Sequence, residues 1–313
     1  MLSFNGDNDV IVPRNVRPPR DAIRTIYKPT EDSQHILHAR YPNLAHPTSN
    51  HTARMPTYAI LGATGQTGTQ IVKYLLPTTN HLNIYVRSQA KLISQFPEID
   101  NAENVTLFVG ELHNTTILNE CIANADVILS TVAQNRNEPG CSIAQRSAFA
   151  IIQALESKRS AGKCPTVVFL ASGAIDPHNP HRNELSYRFI HWVLHHIYDD
   201  LEAAVRLFQV NPWIPLVIAC ASGLIHQDTP HSVELTTDIT KASQLQSYSD
   251  LAKGMIDMGK QGEVVHGNYV SMIVNEGKPI GGNPAALLRY LLPNLLASVC
   301  PPLWWLGKDL WPA

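Results

Sequence analysis

Tyr58-Ala59-Ile60-Leu61-Gly62-Ala63-Thr64-Gly65-Gln66-Thr67-Gly68 is the stretch that decides the fold. Its first four residues form a short apolar run, suited to a strand buried on both faces of a parallel sheet. Three glycines follow at GxxGxxG spacing. Thr69 to Leu76 then reads as an amphipathic helix, with Ile71, Val72, Leu75 and Leu76 on one side. A strand that passes through a glycine turn into a helix presents backbone amides and the positive helix end to an anion. One glycine makes the tight turn, one lets the amides approach a pyrophosphate, and one admits close helix–strand packing. Gly62, Thr64, Gly65, Gln66, Thr67 and Gly68 are therefore candidate dinucleotide-binding residues. The alternative is a turn that is tight for packing alone.

The same alternation repeats downstream. Asn83–Val86, Val105–Val109, Val127–Thr131 and Val167–Ala171 read as further strands, with helices such as Thr115–Asn124 and Ser142–Lys158 between them. This pattern predicts an α/β fold, a doubly wound parallel sheet of the Rossmann type, with the cofactor outside the carboxyl ends of the strands. Thr131, at that edge, joins the candidate set. The second strand ends in Arg87 rather than in an acid. An acid would accept hydrogen bonds from an adenosine 2′-hydroxyl, whereas arginine suits a 2′-phosphate. Ser88 and Lys91 add a donor and a charge, so the expected cofactor is NADP(H). The alternative for Arg87 is a solvated surface charge.

Composition bounds the rest. Charged residues make up 16% of the 313 and hydrophobic ones 44%, which excludes general disorder. A net charge of −2 offers no basic field for nucleic acid. Five cysteines without a CxxC pair suit a reduced, cytoplasmic protein with neither a disulfide framework nor a zinc site. Residues 1–54 hold six prolines and no helical or strand period, and are expected to form a disordered extension, with Met55 as the functional start. Residues 55–313 are expected to form the nucleotide-binding domain, with a small substrate lobe from about 223. There Val233–Thr236 and Val264–Val274 read as strands, and Ser247–Met258 as a helix capped by Ser247 or Ser249. Ala285–Val299 is apolar but interrupted by Arg289 and Pro293, short of the ~20 residues a membrane span needs. Its tryptophan-rich sequel (Trp304, Trp305, Trp311) is expected to pack on the domain, with weak peripheral membrane contact as the alternative.

GATGQTG, the YVRSQAKL segment after the second strand and VGEL after the third resemble an atypical short-chain dehydrogenase/reductase of the NmrA-like kind. In that group the acid of a G-D-L stretch lies near the adenine. The matching residue here is Glu111, with Glu for Asp. PGCSIAQ (Pro139–Gln145), RFIHWVL (Arg188–Leu194), IYDDL (Ile197–Leu201) and SYSDLAKGM (Ser247–Met255) are similar to the averufin oxidase-like family of fungal secondary metabolism, over roughly residues 55–307. The resemblance implies NADP-linked redox steps on a small-molecule aromatic polyketide such as an anthraquinone or xanthone.

It also implies a serine after the fifth strand and a Tyr-x-x-x-Lys pair on a helix. Ser172 stands in the first place, but the pair is absent. Counting forward from Ser172 favours Tyr187, with His191 four residues on as its proton partner. Counting back from Pro212-Trp213-Ile214-Pro215-Leu216 favours Tyr198, followed by Asp199 and Asp200. Tyr187 with His191 is ranked first for proton transfer and Tyr198 for the cofactor side. The histidines His191, His195 and His196 are expected on one helix, and no metal is expected. Ser172 as a turn cap and Tyr187 as a pocket wall remain open. So do two other functions: a dinucleotide-sensing regulator without turnover, and a non-redox isomerase or cyclase.

Overall fold

Thr57–Leu61 forms β1, and all five of its side chains are buried. Alternation sends Ala59 and Leu61 into one half of the core and Tyr58 and Ile60 into the other. The computed structural model describes residues 54–157, 159, 164–227, 231–275 and 284–307, all within one unit, Arg54–Ala313. The expected extension 1–54 lies outside the described residues except for Arg54. That arginine donates to both oxygens of Asp126, at 2.7 and 2.8 Å, and Asp126 also accepts the Thr57 amide at 2.9 Å.

Helix α1 (Gln66–Leu75) follows the turn, then β2 (His81–Val86), α2 (Gln89–Gln95), β3 (Val105–Val109), α3 (Thr115–Ile122) and β4 (Val127–Ser130). Next come α4 (Ile143–Glu156), β5 (Thr166–Ser172), α5 (Leu185–Val193), α6 (His195–Gln209) and β6 (Leu216–Ala221). Short strands β7 (Gly223–Ile225), β8 (Ser232–Thr236) and β9 (Leu245–Ser247) precede α7 (Tyr248–Lys260), α8 (Gly262–Val265), β10 (Tyr269–Asn275), α9 (Pro284–Val299) and α10 (Pro301–Gly307).

The main sheet runs β3-β2-β1-β4-β5-β6-β10-β8, parallel except for the β10–β8 pair. The reversal of strand order at β1/β4 is the switch point of a doubly wound sheet. One core half packs Val167, Phe169, Leu216 and Ile218 against α3, α4 and α6. The other packs Val168, Val217 and Ala219 against α1 and α7. Registers Leu61↔Ser130, Ser130↔Phe169 and Ser172↔Ala221 carry β5 beyond the end of β4. The Gly62 turn, Thr131 and Ser172 therefore share the carboxyl edge.

Three expectations are corrected. The first helix begins at Gln66 rather than Thr69, so Gln66, Thr67 and Gly68 form its first turn. Val264–Val274 is not one strand. Val265 ends α8, Gly267 turns the chain at φ +78°, and β10 begins at Tyr269. Beyond residue 223, β10 and β8 extend the sheet and α7 packs on its face. The predicted single helix over His191–His196 is two, broken at Leu194. The break is tertiary in origin. Buried Asn137 donates to the Val193 carbonyl at 2.7 Å and accepts the His196 amide at 2.9 Å. Its amide meets Asn294 Oδ1 at 2.8 Å, which ties α9 to the same point.

At the start of α7 the cap is settled. Ser247 accepts from the Asp250 amide and Asp250 from the Ser247 amide, both at 3.0 Å, a reciprocal capping box. Asp250 also accepts from the amide and the ring of His231, at 2.9 and 3.0 Å.

Candidate active site at the carboxyl edge

The glycine turn is built for close approach. Gly62 has φ +87°, and a Cβ there would lie 2.7 Å from Thr131 Oγ1. Thr131 instead donates to the carbonyls of Leu61 and Gly62, at 3.0 and 3.2 Å, and so clamps the turn rather than offering a free hydroxyl. A Cβ on Gly68 would meet backbone, 2.7 Å from the Gly62 carbonyl carbon and 2.9 Å from Ala63 Cα. Gly68 is thus the close-packing glycine, and Gly65, exposed, is the residue that caps α1. No side chain caps α1 and its first turn carries no carboxylate, so the positive end is left for another acceptor. Thr64 and Gln66 are half-buried at the turn, and Gln66 Oε1 is buried without a partner. Thr67 is buried, which restricts it to a backbone contribution. This uncapped, carboxylate-free turn fits a dinucleotide pyrophosphate.

Arg87 stands exposed directly after β2 and makes no hydrogen bond or ion pair with another described residue. Ser88 caps α2 by accepting the Lys91 amide at 3.3 Å, which leaves its own proton free to donate. The side chain of Glu111 is exposed at the end of β3, and its carbonyl accepts from Tyr85 Oη at 2.7 Å.

The four predicted catalytic residues come together. Ser172 ends β5, and its Oγ accepts the Ala174 amide at 3.2 Å, so it does cap the turn at Gly173–Ile175. Tyr187 Oη donates to the carbonyl of the same Ala174. The ring of His191 lies 6.0 Å from that of Tyr187 and 4.9 Å from that of Tyr198. Burial pushes the Tyr187 phenol above its usual range. Arg182 opposes this, while Glu202 and Asp176 reinforce it. Tyr187 and Tyr198, the candidates of the two sequence landmarks, flank one histidine across the break at Leu194.

Sequence reasoning missed the residues that hold this arrangement. Asp200, buried on α6, accepts the amides of Ala144 and Gln145, each at 2.9 Å, and so caps α4. Cys141 donates to the His196 carbonyl at 3.2 Å. The PGCSIAQ and IYDDL segments therefore face each other through Cys141 and Asp200, which hold the helices that carry the site. An acid on the buried, apolar side of the helix, beside Ile197, Leu201 and Ala204, was the available signal. Asp176, also buried, accepts the His178 amide at 2.8 Å and braces the loop between Ser172 and Tyr187. Among the described residues no group of three or more His, Cys, Asp or Glu could hold a metal ion.

A doubly wound sheet with an uncapped glycine turn at its switch point defines a dinucleotide-binding protein of the Rossmann type. The chain belongs to the NAD(P)H-binding family, which residues 62–260 match. It is 31% identical to the oxidoreductase stcQ of Emericella nidulans over 263 residues, covering 79% of this chain and 92% of that one. It is 30% identical to the oxidoreductase aflX of Aspergillus parasiticus over 252 residues, covering 79% and 93%. The fold is similar to a short-chain dehydrogenase/reductase (wide type) of Veillonella parvula solved in complex with NADP, with TM-score 0.56 and 18% identity, covering 73% of this chain and 100% of that one. The protein is an NAD(P)H-binding oxidoreductase with fungal oxidoreductase relatives. Among the described residues no helix is long and apolar enough to cross a membrane.

Proposed function

We propose that the protein uses NADPH to reduce, or NADP to oxidise, an aromatic polyketide of the anthraquinone or xanthone type at a ring carbonyl or hydroxyl. The observation that carries this reading is the meeting of Ser172 and Tyr187 on the Ala174 peptide of the turn after β5, with His191 and then Tyr198 packed behind Tyr187. The α1 amides of Gln66 and Thr67 would hold the pyrophosphate. Arg87 and Ser88, with Lys91, would hold the 2′-phosphate, and Glu111 would lie beside the adenine. When bound, the nicotinamide supplies or accepts the hydride.

The chain's own part is proton chemistry. Burial keeps the Tyr187 phenol protonated at neutral pH, so it serves as an acid. The substrate oxygen takes the place of the Ala174 carbonyl as acceptor from Tyr187 Oη, while the Ser172 hydroxyl donates to the same oxygen. His191, between the two tyrosines, returns the proton to Tyr187. The aromatic faces of His191 and Tyr198 suit a flat polycyclic substrate.

Cofactor assignment is tested with Arg87→Ala. Loss of a charge-assisted phosphate contact, about 1.5–3 kcal/mol, should weaken NADPH by roughly 10- to 150-fold and leave NADH unchanged. Equal effects on both cofactors would remove Arg87 from the 2′-phosphate site. Incubation with NADPH and hydroxylated anthraquinones tests the reaction. Loss of nicotinamide absorbance together with product is expected. Cofactor binding with neither would favour a sensing role, and product without NADPH consumption would favour an isomerase or cyclase.

A further inference from the structure

Helix α5 has two dissimilar faces. Tyr187 and His191, four residues apart, turn toward Tyr198. Leu185, Phe189 and Trp192 follow the i, i+4, i+7 spacing of another face and are exposed by 82%, 49% and 46%. The apolar exposure continues on the neighbouring helices. Ser298 of α9 donates to the carbonyls of Trp192 and Val193, at 3.3 and 3.0 Å, which sets the end of α9 against the end of α5. Val299 beside it is exposed, and so are Leu303 and Leu306 of α10. Of the thirteen large apolar side chains exposed among the described residues, nine lie on α5, α9 and α10. That concentration marks an interaction surface rather than the single exposed leucines any protein carries.

Charge identifies the partner. The three helices contain no Asp or Glu, and Arg188 of α5 is exposed, in a chain whose net charge is −2. Arg182, just ahead of α5, is exposed. Glu184, which precedes α5, is paired with His181 at 2.7 Å. Trp, Phe and Leu on one side, with Arg188 beside them and the carboxylate of Glu184 at the margin, match the interface of an anionic bilayer. There the apolar groups enter the acyl boundary and the cations meet the headgroups.

We infer that the α5–α9–α10 face is a peripheral membrane-docking surface that seats the enzyme on anionic lipid. The face lies on the opposite side of α5 from Tyr187 and His191, so docking leaves the candidate site uncovered. This inference needs only the surface, and it stands or falls separately from the catalytic reading.

Flotation of the full-length protein with vesicles decides it. Binding to vesicles of equal parts phosphatidylcholine and phosphatidylserine is expected, with much weaker binding to phosphatidylcholine alone. Arg188→Gln should lower the anionic-vesicle partition coefficient about fivefold, the effect of one basic residue near a charged surface. Combined Leu185→Ser, Phe189→Ser and Trp192→Ser should abolish binding while NADPH affinity, read by nicotinamide fluorescence, stays that of the parent and reports an intact fold. Failure of the parent protein to float with anionic vesicles would overturn the inference. So would equal binding by the triple variant. A concentration-dependent dimer that the triple variant abolishes, without vesicle binding, would assign the face to a second copy of the chain instead.

Discussion

Gly68→Ala tests the physical basis of the cofactor turn. A Cβ at Gly68 would lie 2.7 Å from the Gly62 carbonyl carbon and 2.9 Å from Ala63 Cα, where ordinary contact begins at 3.4 Å. Both neighbours are backbone, so no rotamer relieves the overlap. The Gly62 carbonyl oxygen lies nearer still, so the start of α1 has to move by more than about 0.7 Å, while Ile71, Val72 and Leu75 of the same helix are locked in the core. Overpacking of this kind costs about 1–3 kcal/mol. At roughly 2–4 °C per kcal/mol for a unit of this size, the melting temperature should fall by about 2–12 °C. The shifted amides should also weaken NADPH by about tenfold, the worth of one hydrogen bond. Gly65→Ala is the contrasting case. Its Cβ would approach one atom, the Gly62 carbonyl oxygen, at 3.3 Å, and the residue is exposed. It should cost under about 1 kcal/mol of stability, yet crowd the amides that face the phosphate. Thermal melting by circular dichroism and NADPH titration by fluorescence measure both quantities. A Gly68→Ala protein that melts and binds as the parent does would refute the close-packing argument, and so would a larger melting loss in Gly65→Ala.

Other outcomes follow from the surrounding structure. Asp200→Ala leaves the buried amides of Ala144 and Gln145 without their acceptor and should cost about 1–3 kcal/mol in thermal melts, with Asp200→Asn recovering part of it. An unchanged melt would deny that Asp200 caps α4. Burial pushes the Asp250 carboxyl up, but hydrogen bonds from the amide and ring of His231 and from the side chain and amide of Ser247 outweigh it, so its pKa lies below the ordinary 3.8. A depressed carboxylate stabilises the fold above its unfolded pKa, and that stability drains away as pH falls below about 4. Asp250→Asn should therefore be less stable at neutral pH and lose less between pH ~4 and ~2. Parallel melting curves for the two proteins would contradict this.

Most of the fold was legible because its information is local. The apolar β-runs at 57–61, 127–130 and 166–172 declare buried parallel strands, and the three glycines declare the turn between β1 and α1. What stayed hidden depends on contacts distant in sequence. Nothing in the helical spacing of residues 185–209 marks the break at Leu194, because Asn137, more than fifty residues earlier, holds it. The strand pattern ran through Gly267 because a positive φ there is visible only in the folded backbone. At the site, Ser172 and Tyr187 could be named from the family resemblance, with counting from the fifth strand. Their meeting on the Ala174 peptide could not, since the loop from Asp176 to Glu184 makes counting unreliable. Tyr198 and Tyr187 looked like rivals in one dimension and are neighbours of the same histidine in three.

The central claim is that Tyr187 is the proton donor beside an NADPH site. Single-turnover oxidation of bound NADPH by a hydroxylated anthraquinone, compared between the parent and Tyr187→Phe, tests it most directly. The account predicts that Tyr187→Phe binds NADPH with parental affinity and turns over about 10²- to 10⁴-fold more slowly, the usual contribution of a positioned general acid. Turnover at the parental rate in Tyr187→Phe would contradict it.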